Sequence, residues 1–255
     1  MGQRTVKLSA ARKRRLLDDG FVVVPGVVPE ARLDAALREI NHRLGTGHHP
    51  SKDVYADDED YLSERSDSPA IMALLYESPL WDLAQSLLGE GDVERPSQGQ
   101  IALRFPAAKD EHDGEVHAHI DGMWSKNNPK AIERFTMCAG ILLTDLPRKD
   151  MGNLTVFPGS HVRIAGLVKR SGTGFWKTRL VDAIDLPEPE QVTGKRGDVV
   201  LFNFQLAHDR GRNIAAPIRC MVYFRFSHKN AWRNDDVAYL RRAMTDPWLE
   251  WPGLR

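Results

Sequence analysis

The stretch of sequence that points most directly to the fold is Arg219-Cys220-Met221-Val222-Tyr223-Phe224-Arg225-Phe226. Arg219, Met221, Tyr223 and Arg225 occupy alternate positions, and Cys220, Val222, Phe224 and Phe226 occupy the positions between them. A period of two is typical of a β-strand, and one of its two faces must line the interior of a barrel. Further short strands are predicted at 97–104, 116–121, 134–143, 153–157 and 198–203. Their uneven spacing, with Gly, Pro and Asp between them, predicts a sandwich or a jelly-roll barrel.

The first ninety residues have mostly helical patterning. Capping and turn residues predict helices over 9–19, 29–44, 69–76 and 79–88, a short strand over 21–24, and a surface loop or lid over 45–67. No helix-length crossovers alternate with the strands, and there is no Gly-rich phosphate loop, which argues against a doubly wound parallel sheet. We therefore expect one domain over 1–255, mainly β with flanking helices. Its helical part, about 1–90, packs on a β core of about 92–228, and a tail follows at 229–255.

The composition restricts the class of partner. The chain has 255 residues, with 35 basic and 35 acidic side chains, so its formal net charge is zero. No basic excess favours a nucleic acid, and no apolar run approaches the roughly 18 residues of a membrane span. Cys138 and Cys220 are the two cysteines, each within an apolar run, which suits a reducing compartment. We expect a cytoplasmic monomer or homodimer that acts on a small molecule, without a nucleic-acid or membrane partner.

The segment Val116-His117-Ala118-His119-Ile120-Asp121-Gly122 indicates a metal site. Alternation along a strand puts His117, His119 and Asp121 on one face, and a bend at the strand end would let an imidazole and a carboxylate reach one ion. A His-x-Asp pair alone is weak evidence. A second imidazole, His208, follows the strand predicted at 198–203. Two histidines with one carboxylate form the facial triad of non-haem Fe(II) enzymes, which leaves adjacent positions on the metal open.

Arg219 adds a third element to this constellation. A guanidinium at the inner end of a strand needs an anionic partner, and a dicarboxylate cosubstrate can supply one through a bidentate contact. The alternative is an ordinary ion pair with Asp198 or Asp209. The position of Arg219 shortly after His208 favours the cosubstrate.

Four segments carry a family resemblance. They are Asp19-Gly20-Phe21-Val22-Val23-Val24-Pro25-Gly26, His119-Ile120-Asp121-Gly122, Gly152-Asn153-Leu154-Thr155-Val156-Phe157-Pro158-Gly159-Ser160-His161, and His208 with Asn213 and Arg219. In this order, from about Phe21 to Phe226, they resemble the phytanoyl-CoA dioxygenase (PhyH) family of Fe(II)- and 2-oxoglutarate-dependent oxygenases. The resemblance implies a double-stranded β-helix, the jelly-roll or cupin-like barrel.

The resemblance also implies roles for individual residues. It assigns the iron to His119, Asp121 and His208, and the distal carboxylate of 2-oxoglutarate to Arg219. Relatives often have a basic residue near the cosubstrate at the place of Arg104, and the histidine of the Pro-Gly-Ser-His turn, here His161, is usually structural. The implied reaction consumes O₂ and 2-oxoglutarate, releases succinate and CO₂, and oxidises an aliphatic C–H bond, with ascorbate as a supporting reductant.

Two positions depart from the family pattern. Relatives commonly carry Gln where this chain has Ile120, and often an aromatic residue near Gly140. Both changes alter the cavity wall and neither alters a ligand. Asp121 is retained, whereas halogenating relatives replace that carboxylate with a small residue, so hydroxylation is favoured over halogenation. Ring closure and desaturation begin with the same C–H step, and the sequence does not separate them from hydroxylation.

The residues expected to contact the substrate are His117, Trp124 and Trp176. Ordinary packing is the alternative role for each tryptophan, and a secondary metabolite is one substrate class consistent with the family.

Two other functions stay open at this point. A cupin-like metal protein that isomerises or hydrolyses its substrate would leave Arg219 without a cosubstrate, and a non-catalytic sensor barrel would keep the metal site without turnover.

Overall fold

A computed structural model describes residues 7–46, 61–107, 117–122, 134–171, 179–231 and 237–254 of the chain. Within these ranges the α-helices are α1 (Ala10–Asp19), α2 (Glu30–Gly45), α3 (Pro69–Tyr76), α4 (Leu80–Leu88), α5 (Ser160–Ser171) and α6 (Val237–Thr245). The strands are β1 (Phe21–Val24), β2 (Tyr61–Ser66), β3 (Gly99–Arg104), β4 (Met137–Leu142), β5 (Leu154–Val156), β6 (Glu190–Gln191), β7 (Val199–Asn203), β8 (His208–Arg210) and β9 (Arg219–Phe226). Short 3₁₀ turns occur at Leu180–Ala183 and Pro252–Leu254.

The strands form two antiparallel sheets. The large sheet has the order β1-β7-β4-β9-β3-β2, and the small sheet has the order β6-β5-β8. Strands that are neighbours in a sheet are mostly distant in the chain, which is the pattern of a jelly roll. The predicted class, mainly β with flanking helices, is confirmed.

Helices α1 and α3 begin after the capping residues that the sequence predicts. The Ser9 side chain accepts the N–H of Arg12 at 3.3 Å, and Gly20 ends α1 in the left-handed conformation, with φ of 84°. Ser68 caps α3 in the same way, ahead of Pro69 at the first helical turn. The predictions for α1, β1 and α3 are therefore confirmed almost to the residue.

A hydrophobic layer covers each face of the large sheet. One layer packs helices α1 to α4 on the outer face, where Val222, Phe224 and Phe226 of β9 are buried. The other lies on the inner face and includes Met221 of β9, Val156 of β5 and buried residues of α5 and α6. The alternation predicted for β9 thus separates the helical layer from the interior of the barrel.

Some sequence predictions are wrong. The strand predicted at 116–121 is not formed by its described residues, 117–121, which make only an isolated bridge between His119 and His208. The loop predicted at 45–67 includes strand β2, which pairs with β3, and residues 47–60 lie outside the described residues. Helices α5 and α6 were not predicted from the sequence.

The C-terminal tail packs on the barrel. Glu250 is 3% exposed and accepts two bonds from Arg134, at 2.9 and 2.7 Å, one from Thr136 at 2.6 Å and one from Tyr239 at 2.8 Å. Trp251 is completely buried nearby in the chain. These contacts hold the tail against the barrel. In the described part of the chain, no helix combines the length and apolar character needed to cross a bilayer.

Candidate metal centre

A cavity of about 300 Å³ opens on the inner face of the large sheet. Both sheets and the segment 117–122 contribute to its wall. The lining residues are Tyr61, Gln100, His117, His119, Asp121, Cys138, Leu154, Phe202, His208, Asp209, Arg210, Arg219, Tyr223 and Arg225. The cavity therefore contains the three predicted metal ligands, the predicted cosubstrate arginine and one predicted substrate residue, His117.

The three predicted ligands come together through one bridge and one turn. His119 and His208 exchange backbone N–H···O bonds of 3.0 Å in both directions, which joins segment 117–122 to strand β8. Gly122 follows Asp121 with φ of 73°, a left-handed conformation that glycine adopts without strain. The chain bends there, as the His-x-Asp hypothesis required, and Asp121 turns back toward the imidazoles.

The donor atoms lie close enough to share one ion. Oδ1 of Asp121 is 3.5 Å from Nε2 of His119 and 3.7 Å from Nε2 of His208. One donor atom from each residue lies within 4.8 Å of the others. Ligands in adjacent positions around a metal with bonds of about 2.1 Å are roughly 3 Å apart, so a small inward movement suffices. The set of two imidazoles and one carboxylate suits Fe(II) and leaves room for further ligands.

Backbone carbonyls orient both imidazoles. Nδ1 of His208 donates to the carbonyl of Leu206 at 2.9 Å, and Nδ1 of His119 donates to the carbonyl of His117 at 3.4 Å. A proton on Nδ1 leaves Nε2 unprotonated, with its lone pair toward Asp121. Outer hydrogen bonds of this type set the tautomer and ring orientation of metal-ligating histidines. Both imidazoles therefore have the tautomer and the orientation that would let Nε2 bind a metal.

The ionisation of the metal-free site follows from its charges. Burial opposes ionisation of Asp121, but the Arg225 guanidinium and the neighbouring imidazoles of His119 and His208 hold its pKa well below the ordinary range. Burial lowers the pKa of His119, but the neighbouring Asp121 carboxylate outweighs it and raises the pKa overall. The carboxylate is consequently charged and available to a cation near neutral pH.

Arg219 enters the same cavity, where no carboxylate of the described residues pairs with it. Its side chain is 2% exposed, its Nε donates to the carbonyl of Gly152 at 2.6 Å, and its Nη1 donates to the carbonyl of Ala102 at 3.1 Å. Within the described ranges its Nη2 makes no hydrogen bond and no carboxylate pairs with it. A buried guanidinium in this state needs an anion.

The alternative partners of Arg219 are engaged elsewhere. Asp198 accepts the N–H groups of Gly26 and Lys195, each at 2.9 Å. Asp209 accepts the N–H of His117 at 2.7 Å and so anchors the start of the ligand segment. An ion pair between Arg219 and either aspartate is therefore not formed.

Arg104 lies beside Arg219 but not on the cavity wall. The two arginines are directly opposed in the pairing of β3 with β9, and Arg104 is 4% exposed. Gly152 lies against both, because a Cβ added to it would come within 2.9 Å of Arg104 and 3.0 Å of Arg219. A role of Arg104 toward the cosubstrate stays a prediction. Trp124 and Trp176 lie outside the described residues.

His161 is structural in its surroundings, as expected. It is completely buried, its Nε2 donates to the carbonyl of Leu17 at 3.1 Å, and its ring meets Trp248 edge to face.

The departure from the family pattern at Gly140 has a physical reason. A Cβ on Gly140 would lie 2.7 Å from Cε1 of Tyr223, so the neighbouring strand supplies the aromatic ring at this place. Ile120 is buried in the inner hydrophobic layer.

Sequence reasoning missed several cavity residues. Arg225 is the most consequential, because its guanidinium contacts Asp121 directly, with Nη2 2.6 Å and Nε 3.2 Å from Oδ2. The alternation of β9 placed Arg225 on the same face as Arg219, so a signal was present. Tyr61 and Gln100 had no such signal, because β2 was read as part of a loop and β3 was given no inner face.

Comparisons with known proteins agree with this site. The family described as phytanoyl-CoA dioxygenase (PhyH) matches residues 16–221. A search of curated protein sequences found no match. Among solved structures, the non-haem α-ketoglutarate-dependent carbocyclase SnoK from nogalamycin biosynthesis is 19% identical, covers 86% of this chain and 83% of its own, and has a TM-score of 0.63.

Two further structures have a similar fold. The epimerase SnoN, in complex with Fe³⁺, α-ketoglutarate and nogalamycin RO, is 19% identical over 86% of this chain and 82% of its own, with a TM-score of 0.60. EctD from S. alaskensis, with 2-oxoglutarate and 5-hydroxyectoine, is 19% identical over 89% of this chain and 79% of its own, with a TM-score of 0.62. Identities this low show the fold, and the family match covers most of the sequence. The chain belongs to the phytanoyl-CoA dioxygenase family of Fe(II)- and 2-oxoglutarate-dependent oxygenases.

Proposed function

We propose that this protein uses Fe(II), 2-oxoglutarate and O₂ to hydroxylate an aliphatic C–H bond of a small molecule. The observation that carries the proposal is Arg219, a buried cation without a carboxylate partner in the described residues, in the cavity that holds His119, Asp121 and His208. A dicarboxylate satisfies both ends of this cavity, because one end can bind the metal while the other pairs with Arg219.

The chain's own residues hold and orient the reactants. His119, Asp121 and His208 would hold the iron, which supplies the redox chemistry that couples decarboxylation of 2-oxoglutarate to oxidation of the substrate. The N–H groups of Arg219 that the backbone leaves unused would bind the distal carboxylate. Leu154 and Phe202 make part of the wall apolar, which helps to exclude water from the reacting atoms.

The substrate is proposed only by class. SnoN and EctD are described with nogalamycin RO and 5-hydroxyectoine bound, both small molecules, and a small secondary metabolite is our proposal here. His117 lines the cavity beside the ligands and is the substrate contact that the described residues support. Trp124 and Trp176 remain sequence predictions for the same role.

We further propose a cytoplasmic monomer or homodimer, in keeping with two free, buried cysteines.

Arg219 also distinguishes this function from one of its two rivals. A cupin-like isomerase or hydrolase would use the metal but have no reason to hold a second, buried cation ready for an anion. A sensor barrel that binds metal and 2-oxoglutarate without turnover would need the same residues, so only an assay separates it from an enzyme.

The assay is to incubate the purified protein with Fe(II), ascorbate and 2-oxoglutarate in air and to measure succinate. We expect slow release of succinate even without the substrate, abolished by omission of iron. Under anaerobic conditions, addition of 2-oxoglutarate should give the Fe(II) protein a visible charge-transfer band. Absence of both succinate and the band would overturn the proposal, and the band without succinate would favour a sensor.

The role of Arg219 has its own test. Arg219→Ala should raise the 2-oxoglutarate concentration at half-saturation by roughly 10- to 100-fold, the loss expected of about 1.4 to 2.8 kcal/mol of charged hydrogen bonding. Iron affinity should change little, because Arg219 makes no contact with the ligands in the described residues. Arg148→Ala, at an exposed arginine, is the control and should change neither constant. Equal loss of iron and 2-oxoglutarate binding in Arg219→Ala would contradict the assignment.

A further inference from the structure

The two carboxylate oxygens of Asp121 have different surroundings. Oδ1 faces Nε2 of His119 at 3.5 Å and Nε2 of His208 at 3.7 Å. Oδ2 points the other way and accepts two N–H bonds from Arg225, from Nη2 at 2.6 Å and from Nε at 3.2 Å. One oxygen is therefore directed at the metal position, and the other is held by the guanidinium.

Arg225 is itself held in place by a chain of hydrogen bonds. Its Nη1 donates to Oε1 of Gln100 at 2.6 Å, and Nε2 of Gln100 donates to Oγ of Ser63 at 2.7 Å. Its guanidinium also lies 5.5 Å from the ring centre of Phe135. This chain runs from β9 through β3 to β2, so three paired strands determine where the guanidinium lies.

The geometry points to Arg225 as a positioning residue that restricts Asp121 to one metal-binding oxygen. This inference rests on the proposed function. A carboxylate can bind a metal through one oxygen or through both, and binding through both takes a second coordination position. The two reactants together need three positions on the metal. A chelating dicarboxylate cosubstrate would take two of them, and O₂ would take the third. Because two N–H groups occupy Oδ2, the carboxylate offers Oδ1 alone and leaves those positions to the reactants.

A simple effect on metal affinity would not test this role. Removing Arg225 frees Asp121 to rotate, which weakens metal binding, but it also removes a positive charge next to a cation, which strengthens metal binding. The diagnostic quantity is the affinity of the metal-loaded protein for 2-oxoglutarate, together with a spectrum that reports the ligands around the metal.

The experiment compares Arg225→Gln and Arg225→Lys with a matched control, Arg134→Gln. Arg134 also forms a buried, two-point pair with a carboxylate, that of Glu250, and it does not line the metal cavity. Each protein is loaded with Fe(II) without oxygen and titrated with 2-oxoglutarate through the charge-transfer band. Each is also loaded with Co(II), whose visible absorption reports coordination number, and is melted to measure stability.

We expect Arg225→Gln to raise the half-saturating 2-oxoglutarate concentration roughly 10-fold or more, because the cosubstrate must then displace the second oxygen of Asp121 from the metal. We also expect it to change the Co(II) absorption. Arg225→Lys should show a smaller change in the same direction, because lysine keeps the charge but donates from a single point. Arg134→Gln should lower the melting temperature and leave both spectra and the titration as in the wild type.

Two results would overturn the inference. One is a wild-type titration and Co(II) spectrum in Arg225→Gln, or in Arg225→Lys if the glutamine variant fails to fold. The other is an equal change in Arg134→Gln, which would make the effect one of stability. Failure of the proposed function is a separate result, because then the wild-type protein itself shows no charge-transfer band with 2-oxoglutarate.

Discussion

The Arg225–Asp121 pair in the metal cavity and the Arg134–Glu250 pair beneath the C-terminal tail place the same chemical groups in different surroundings. Glu250 has both oxygens occupied, by two N–H and two O–H donors. Asp121 has one oxygen held by arginine and the other directed at two imidazoles. A saturated carboxylate can hold elements of the fold together, whereas a carboxylate with one free oxygen among imidazoles retains capacity for a cation. Both carboxylates are buried and paired with arginine, so the remaining acceptor oxygen is the feature that would let Asp121, and not Glu250, bind a cation.

Asp121→Asn is expected to have the largest effect on the metal cavity. The amide keeps the size of the side chain and an oxygen for Arg225 but removes the anionic ligand. We expect succinate formation to fall to background and metal affinity to fall by more than the roughly 100-fold that marks the loss of an outer partner. Metal titration and the succinate assay measure both effects. Retention of wild-type metal affinity would mean that the ion binds elsewhere.

The matching change in the other pair is Glu250→Gln. It leaves Arg134 as a buried, uncompensated charge, so we expect stability to fall by about 3 kcal/mol. The melting temperature should drop accordingly, while the charge-transfer titration with 2-oxoglutarate stays as in the wild type. Unchanged thermal unfolding would show that the tail contributes little to the fold, and altered cosubstrate binding would show that the two regions are coupled.

A third prediction concerns pH and the tail side of the molecule. Burial lowers the pKa of His161 to about 4, below the ordinary value of 6.5. As pH falls through 6.5, the His161 imidazole becomes protonated in the unfolded chain but stays neutral in the folded protein. The free energy of unfolding therefore decreases until about pH 4, by at most roughly 3 kcal/mol. Urea unfolding at several pH values should show this loss in the wild type, and a smaller loss in His161→Gln. Equal slopes in the two proteins would contradict the prediction.

The smallest expected effect is a difference in 2-oxoglutarate binding between alanine variants of two glycines. Gly152 and Gly26 both have positive φ, 76° and 61°, so alanine at either place should cost roughly 1–2 kcal/mol. A Cβ on Gly152 would also press on Arg104 and Arg219, whereas nothing lies within 4 Å of one on Gly26. Gly152→Ala should therefore raise the half-saturating 2-oxoglutarate concentration several-fold, and Gly26→Ala should leave it unchanged. Identical titrations of the two variants would show that Gly152 does not position Arg219.

Local signals in the sequence were sufficient for the first elements of the fold. Ser9, Gly20 and Pro69 determine helix ends through contacts within a few residues, so α1 and α3 could be predicted. The strand predicted at 116–121 failed for a different reason. Alternating residues there resemble a strand, but only one bridge, to His208, pairs with them, and strand formation depends on partners that are distant in the chain.

The candidate site divides in the same way. His119, Asp121, His208 and Arg219 could be proposed from residue type, spacing and family resemblance, and the structure brings all four to one cavity. Arg225 could be placed on the correct face of its strand but not against Asp121, which is 104 residues away in the chain. The choice of that partner depends on the register of β9 and β3 and on the bend at Gly122.

By itself, the sequence determined the class of the protein and the chemical groups available to it: two imidazoles, a carboxylate and an inward arginine in an order that matches one family. The tertiary structure alone decided which oxygen of Asp121 binds Arg225, that Arg219 pairs with no carboxylate of the described residues, and that Glu250 joins the tail to the barrel. The physical reason is that a side chain's type is encoded locally, whereas its unused hydrogen-bonding and charge capacity depends on neighbours brought together by long-range strand pairing and packing.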